Sequence, residues 1–357
     1  MRKWVVLLLV LILVLASGTI MFSAKFVSPA ADVPKIGAYY YPWYTGNWER
    51  DHSNTVDTPV LGKYNSSDVN VIRQHLSWFK ELKIDFLIIS WWGTDSLSDI
   101  NTKILFDEVK KNPVVNLCIL IESYPTTGDY DYAKIYNYIH DTYVAPFPEE
   151  YMNLEGKPLI MFYNDQSLTK DGNVSEIRID NRFAVRVTGQ RNYVDWLYWW
   201  IPECEWSEEH SRFGSDGQIS IVPRYEDEHI RPYNSTSGAG YPPAYDHDYT
   251  QGLYDEQWQT AINSAKEGKV KIVTIATWNE YAERTQIEPT NDTTSFTSSP
   301  YYLYERTRMY IDIMRSTETE PAPFPMTWVA AVAVSVAVAE ACLLVYFIKR
   351  KKQITKT

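Results

Sequence analysis

Two acidic residues, Glu280 and Glu283, stand three apart in Thr277-Trp278-Asn279-Glu280-Tyr281-Ala282-Glu283-Arg284-Thr285-Gln286-Ile287-Glu288-Pro289. They directly follow the apolar run Val270–Thr277, which reads as a buried strand. Cleaving a glycosidic bond needs two carboxyl groups around it. One protonates the leaving oxygen, and the other acts as base or nucleophile. An arbitrary acidic pair in a loop is simply solvated. This pair leaves a buried strand in the company of Trp278, Asn279 and Gln286, so a shared site competes evenly with solvation.

Other apolar runs end in the same kind of residue. The sequence offers Tyr39-Tyr40-Tyr41-Pro42-Trp43-Tyr44, then Ser90-Trp91-Trp92-Gly93 with Asp95 and Asp99 following, and Glu122-Ser123-Tyr124. Further along come Tyr163-Asn164-Asp165, Tyr198-Trp199-Trp200 and Pro223-Arg224-Tyr225. Any single Trp or Tyr is more simply core packing. Repetition at six or seven run ends suits sugar rings, which stack C–H faces on aromatic planes while their hydroxyls take hydrogen bonds. Competing chemistries have weaker support. There is no H-E-x-x-H or cysteine pair for zinc and no G-x-S-x-G elbow for a nucleophilic serine. Asp246-His247-Asp248 and Glu226-Asp227-Glu228-His229 could ligate a cation but read as solvated loops, and no cofactor is expected.

The elements that would position these residues alternate. Strand-like runs lie at Ile36–Tyr41, Asp85–Trp91, Val115–Glu122, Leu159–Tyr163, Phe183–Val187, Trp196–Ile201, Ile219–Tyr225 and Val270–Thr277. Helical spacing marks Asp68–Lys83, Ser98–Asn112, Tyr132–Tyr143, Asp255–Lys266 and Tyr301–Met314, with Ser67 or Asp68 as the cap of the first. Eight strands with helices on most crossovers predict an α/β fold, a (β/α)8 TIM barrel, whose chemistry sits at the C-terminal ends of the strands. Helices after the fifth, sixth and seventh strands are hard to see. A doubly wound sheet is the alternative, yet neither glycine-rich phosphate loop occurs.

Composition limits the partners. Of the chain's 34 basic and 45 acidic residues, 26 and 43 fall within residues 35–320. So acidic a domain excludes a nucleic-acid binder driven by phosphate contacts. Its richness in Tyr, Trp, Val and Ile excludes disorder. Met1-Arg2-Lys3 and the apolar run Trp4–Met21 predict a signal peptide or N-terminal membrane anchor over residues 1–24. The barrel is expected over 35–316, a Pro-rich linker over 317–326, a transmembrane helix over 327–348 and a basic cytoplasmic tail over 349–357. Both ends then place the barrel outside the cell membrane, with the lipid bilayer as a partner of the C-terminal helix. Sequons at Asn65, Asn173, Asn234 and Asn291 agree with export. Cys118 and Cys204 could form a bridge, but three cysteines make no disulfide framework.

Asn279–Glu288 resembles the signature N-E-W-x-E-G-x-x-I-E of glycoside hydrolase family 99, the endo-α-mannosidase family. Tyr39–Tyr44, Ser90–Gly93 with Asp99, Ile121–Tyr124 and Gly156-Lys157-Pro158 look like the family too, in its order. The resemblance implies a (β/α)8 barrel without a metal that cleaves within α-mannoside chains with retention, through a 1,2-anhydro sugar. By position, Glu280 would be the base for the sugar 2-hydroxyl and Glu283 the acid. Substrate contacts would come from Tyr39, Tyr41, Trp43, Trp91, Trp92, Asp99, Glu122, Tyr124, Tyr225, Asn279, Gln286 and Glu288. Tyr281 stands where the family usually has Trp, and Arg284 where Gly is expected, a position suited to positive φ. A guanidinium beside Glu283 would favour its ionised form, opposite to what an acid needs. The expected function is a membrane-tethered retaining glycosidase acting on a glycan. A catalytically silent carbohydrate-binding or envelope-structural protein is the alternative, and transglycosylation would use the same acids.

Overall fold

The computed structural model describes residues 33–46, 48, 55–122, 132–163, 180–188, 197–198, 217–224, 253–291 and 299–316. Contacts divide the chain into Met1–Arg315 and Ser316–Thr357, and the second unit is described only at Ser316. Eight parallel strands form one sheet path: β1 (Lys35–Tyr40), β3 (Phe86–Trp91), β4 (Asn116–Ile121), β6 (Lys157–Phe162), β7 (Ala184–Thr188), β8 (Leu197–Tyr198), β9 (Gln218–Ile221) and β10 (Ile272–Ile275). Their order is β8-β7-β6-β4-β3-β1-β10-β9, and the two ends of the path, β8 and β9, come back beside each other. This is the curled parallel sheet of a TIM-barrel-like α/β fold.

β1 sits between β3 and β10 and sets the register of both, with Ala38 opposite Leu87 on one side and Ile275 on the other. Gly37 is required there, because a Cβ would stand 2.4 Å from the Phe86 ring. The strands read as continuous apolar runs because both faces are covered. β3 is buried at every position.

The helices follow local chemistry. α1 (Val69–Leu82) starts where the Asp68 carboxylate accepts the Asn70 N–H at 2.8 Å, and it ends at Lys83 in the left-handed region. Ile72, His75, Leu76 and Phe79 form its buried face. α2 (Leu97–Lys111) begins at Ser96, whose hydroxyl accepts the Asp99 N–H, two residues ahead of the start read from periodicity. α3 (Tyr132–Ile139) widens into a π-turn over His140–Val144. α4 (Leu253–Lys266) and α5 (Tyr302–Ser316) stack Trp258 on Tyr310 at 5.6 Å.

Three short strands were not expected from the sequence. β5 (Asn153–Leu154) pairs with β6. β2 (Thr58–Pro59) and β11 (Thr290–Asn291) pair antiparallel, and this strap ties the loop after β1 to the segment after β10. Cys118 is a free, fully buried thiol on β4, and Cys204 lies outside the described residues. Among the described residues no helix is long and apolar enough to cross a membrane. The two apolar runs, the linker and the basic tail lie outside the described residues.

Candidate active site

β10 ends at Ile275, and the chain then turns back on itself. The Glu280 N–H donates to the Thr277 hydroxyl at 2.8 Å, and the Thr285 N–H closes on the Glu280 carbonyl at 3.2 Å. That six-residue closure has the form of a helix C-terminus, in which the fifth residue adopts the left-handed conformation. The fifth residue is Arg284, with φ at 53°. A positive φ that a Gly would accept cheaply is here held by a side chain that resists it by roughly 1–2 kcal/mol. Within such a turn, residues three apart project from the same side, which places Glu280 and Glu283 together.

A third carboxyl joins them. Glu122, one residue past β4, is half-buried, and desolvation pushes its pKa up to about 8, with the Glu283 charge adding to that and a Ser90 hydrogen bond opposing it. Glu280 is almost wholly buried. Burial, then the charges of Glu283 and Glu122, raise it well above the ordinary carboxylate range, against hydrogen bonds from the Ala282 and Glu283 N–H groups. The Tyr41 hydroxyl, raised first by burial, also feels Glu122, Glu280 and Glu283. Tyr41 therefore stands among all three acids. Its ring lies 4.4 Å from that of Trp43, which lies 5.8 Å from Trp92, and Trp92 is 47% exposed. An aromatic wall thus runs from the carboxyl cluster out to solvent.

Other residues read from the sequence as substrate contacts also tie elements of the fold together. Asn279 accepts the Tyr41 N–H at 2.8 Å and returns its amide to the Tyr41 carbonyl at 3.0 Å, stitching β1 to the carboxyl turn. Glu288 accepts from the Tyr64 and Tyr281 hydroxyls at 2.9 and 3.0 Å, and its other oxygen lies 3.0 Å from His75 Nε2. Asp99 receives donors from Trp91, Tyr143, Tyr138, Lys103 and the Asp95 N–H. Burial pushes the Asp99 carboxyl up, yet the Lys103 ammonium and the Trp91, Tyr138 and Tyr143 donors outweigh it and hold it below its usual range. Trp91 is buried, and Tyr39 is buried opposite Ile88 in the sheet. Gln286 donates to Asp57 at 2.9 Å, and its amide oxygen has no hydrogen-bond partner among the described residues. Tyr124, Tyr225 and both acidic-histidine segments lie outside the described residues. Among the described residues no group of three His, Cys, Asp or Glu side chains could hold a metal ion.

Sequence reading missed Asp57 and Tyr64, and it quoted Arg224 and Tyr44 without the roles they have here. The Arg284 guanidinium closes on the fully buried Asp57 carboxylate, which also receives Arg224. Nothing in Thr55-Val56-Asp57-Thr58-Pro59 announces this, since its partners lie 167 and 227 residues away. Tyr44 was quoted only as part of an aromatic string, but its hydroxyl donates to the Asn279 carbonyl at 2.6 Å.

Residues 18–186 match the profile of glycosyl hydrolase family 99. That segment carries Tyr39–Tyr44, Trp91, Trp92, Asp99 and Glu122, and it ends before Glu280. A "glycoprotein endo-alpha-1,2-mannosidase-like protein" of Mus musculus is 25% identical over 303 residues, covering 72% of this chain and 63% of the relative. The "glycoprotein endo-alpha-1,2-mannosidase" of Xenopus laevis is 25% identical over 297 residues, covering 72% and 64%. The GH99 endo-α-mannosidase structure from Bacteroides thetaiotaomicron superposes with a TM-score of 0.63 at 20% identity, over 80% of this chain and 99% of that one. Over residues 18–186 the chain is thus similar to glycoside hydrolase family 99. This chain spans just under two thirds of the length of the animal relatives, while the bacterial structure is matched over nearly its whole length and shares the fold.

Proposed function

We propose that the protein is a retaining glycoside hydrolase that cleaves within α-mannoside chains. The observation carrying this reading is the clustering of Glu280, Glu283 and Glu122 around Tyr41 at the head of an aromatic wall that opens to solvent. A binding module needs sugar-stacking aromatics but not three mutually repelling carboxyls. In the reaction, Glu280 removes the proton from the sugar 2-hydroxyl, and that oxygen attacks C1 from the face opposite the leaving group. Glu283 gives its proton to the departing oxygen as the C1–O bond breaks, leaving a 1,2-anhydro sugar. Water then adds at C1, passing one proton to Glu283, while the epoxide oxygen recovers its own from Glu280. Two inversions give net retention.

Burial and neighbouring charge favour protonated Glu280. A base must be ionised, so activity should rise only as pH climbs through a raised Glu280 pKa. The reverse assignment, with Glu280 as acid and Glu283 as base, draws on the same upward shift. Trp92, Trp43 and Tyr41 would stack successive sugars along the wall.

We further propose that the apolar segments outside the described residues tether the barrel to the membrane facing outward, supported by the basic clusters Arg2-Lys3 and Lys349–Lys352. Incubating the full chain with α-mannan and N-glycan fragments tests the activity. Oligosaccharides released with the α-configuration support it; intact glycans that nevertheless bind would return the protein to the silent-binder reading.

A further inference from the structure

Behind the carboxyl turn lies a charged cluster that the cleavage chemistry does not use. Arg284 Nε and Nη2 reach the two oxygens of Asp57, both at 3.1 Å, in a fork-on-fork pairing. Arg224, three residues past β9, donates Nη2 to Asp57 at 2.7 Å and Nε to the Arg284 carbonyl at 2.9 Å. Gln286 adds its amide to the same carboxylate at 2.9 Å. Asp57, Arg224 and Arg284 are all at most 4% exposed. Asp57 immediately precedes the strap strand β2, which is anchored on β11.

Arg284 is therefore pinned at both its side chain and its carbonyl while its φ is 53°. Released, an arginine relaxes toward the right-handed region, which would open the Thr285-to-Glu280 closure and swing the preceding residue, Glu283. A glycine would hold the turn with no clamp.

We propose that Asp57 is a positioning residue that acts through Arg284, holding the turn so that Glu283 stays facing Glu280 and Glu122. The assignment deepens the glycosidase reading and rests on it for the role of Glu283. The titratable groups acting with Glu283 include Glu280 in its own turn, Glu122 after β4 and Tyr41 after β1. Misplacing a catalytic group by about 1 Å lowers turnover on the order of 10²-fold.

The test uses the full chain with Asp57→Asn, Arg284→Gly and the two combined, measuring kcat and KM on the cleaved α-mannoside at a temperature well below each Tm. The expected result is that Asp57→Asn lowers kcat about 10–100-fold while KM changes far less. Adding Arg284→Gly should recover most of the lost kcat. A carboxylate that only stabilises the fold would lower Tm and leave kcat at the wild-type value, which overturns the proposal. So does failure of Arg284→Gly to rescue. If the wild type cleaves no mannoside, the glycosidase reading fails, and crystal structures of the same variants decide this one. Residue 284 leaving positive φ and Glu283 turning away in Asp57→Asn, with both restored in the combined variant, support it; an unmoved turn overturns it. Should Asp57→Asn not fold, Arg284→Lys keeps a charge for Asp57 without the fork. Wild-type kcat and an unmoved Glu283 in that variant overturn the proposal.

Discussion

Glu122, Glu280 and Glu283 gather three carboxyls whose charges act on one another, so their protons are shared rather than independent. The first consequence is a pH profile. Glu280 is raised by burial and by both neighbours, so the acidic limb of activity is expected above the ordinary glutamate range. Removing one like charge should lower that limb. Glu122→Gln keeps the shape of the side chain, and the acidic limb should move to lower pH in kcat/KM measured across pH. A limb that stays put would mean that Glu122 does not act on Glu280. The closeness of Glu280 and Glu283 was legible, because both leave one buried strand within a single turn. The Asp57 partner of Arg284 was not legible, because it lies 227 residues away along the chain. The fork that was expected beside the acid is closed on a carboxylate brought from the loop after β1.

At the scale of elements, the site is held by joints between β1 and the turn after β10. Asn279 is the main one: its amide satisfies both the N–H and the carbonyl of Tyr41, with Tyr64 as a further partner. Asn279→Ala would strand those two buried backbone groups, each worth about 1–3 kcal/mol when unsatisfied. A fall in urea-unfolding free energy of about 2–5 kcal/mol is expected, with kcat reduced because Tyr41 and Glu280 share the joint. An unchanged unfolding midpoint would show that the joint carries no stability. Helices such as α1 were legible because periodicity and an aspartate cap agree in one short stretch. The strap was not, since two-residue strands carry no alternation, and its pairing is set by a partner more than 200 residues away. Glu288 and Asp99 were expected to touch substrate from the family resemblance; that their oxygens also hold tyrosines, His75 and Lys103 in place is visible only from three-dimensional neighbours.

The whole barrel separates two tasks between its ends. At the N-terminal end Arg315 of α5 donates to Asp85 and to the Lys83 carbonyl, and Asp85 accepts the Ile36 N–H at 2.7 Å, a framework of structural ties. A cavity of about 550 Å³ opens there between Lys83, Asn116, Glu149 and Arg315, away from the carboxyl cluster. The C-terminal end gathers the acids and aromatics, as strand order and alternation led one to expect. For the proposed tether, protease added to intact cells should degrade the barrel and spare an epitope within Lys349–Thr357; an epitope reached from outside would reverse the topology.

The cleavage chemistry stands or falls with Glu280→Gln and Glu283→Gln, compared on an unactivated α-mannoside and on an aryl glycoside of the same sugar. Gln keeps the size of Glu but exchanges no proton, so both variants should lose about 10²–10⁴-fold on the unactivated substrate. A good leaving group needs little protonation. Glu283→Gln should therefore recover much of its rate on the aryl glycoside, whereas Glu280→Gln should not. Recovery by Glu280→Gln alone would exchange the two roles, and wild-type rates in both variants would contradict catalysis by this pair.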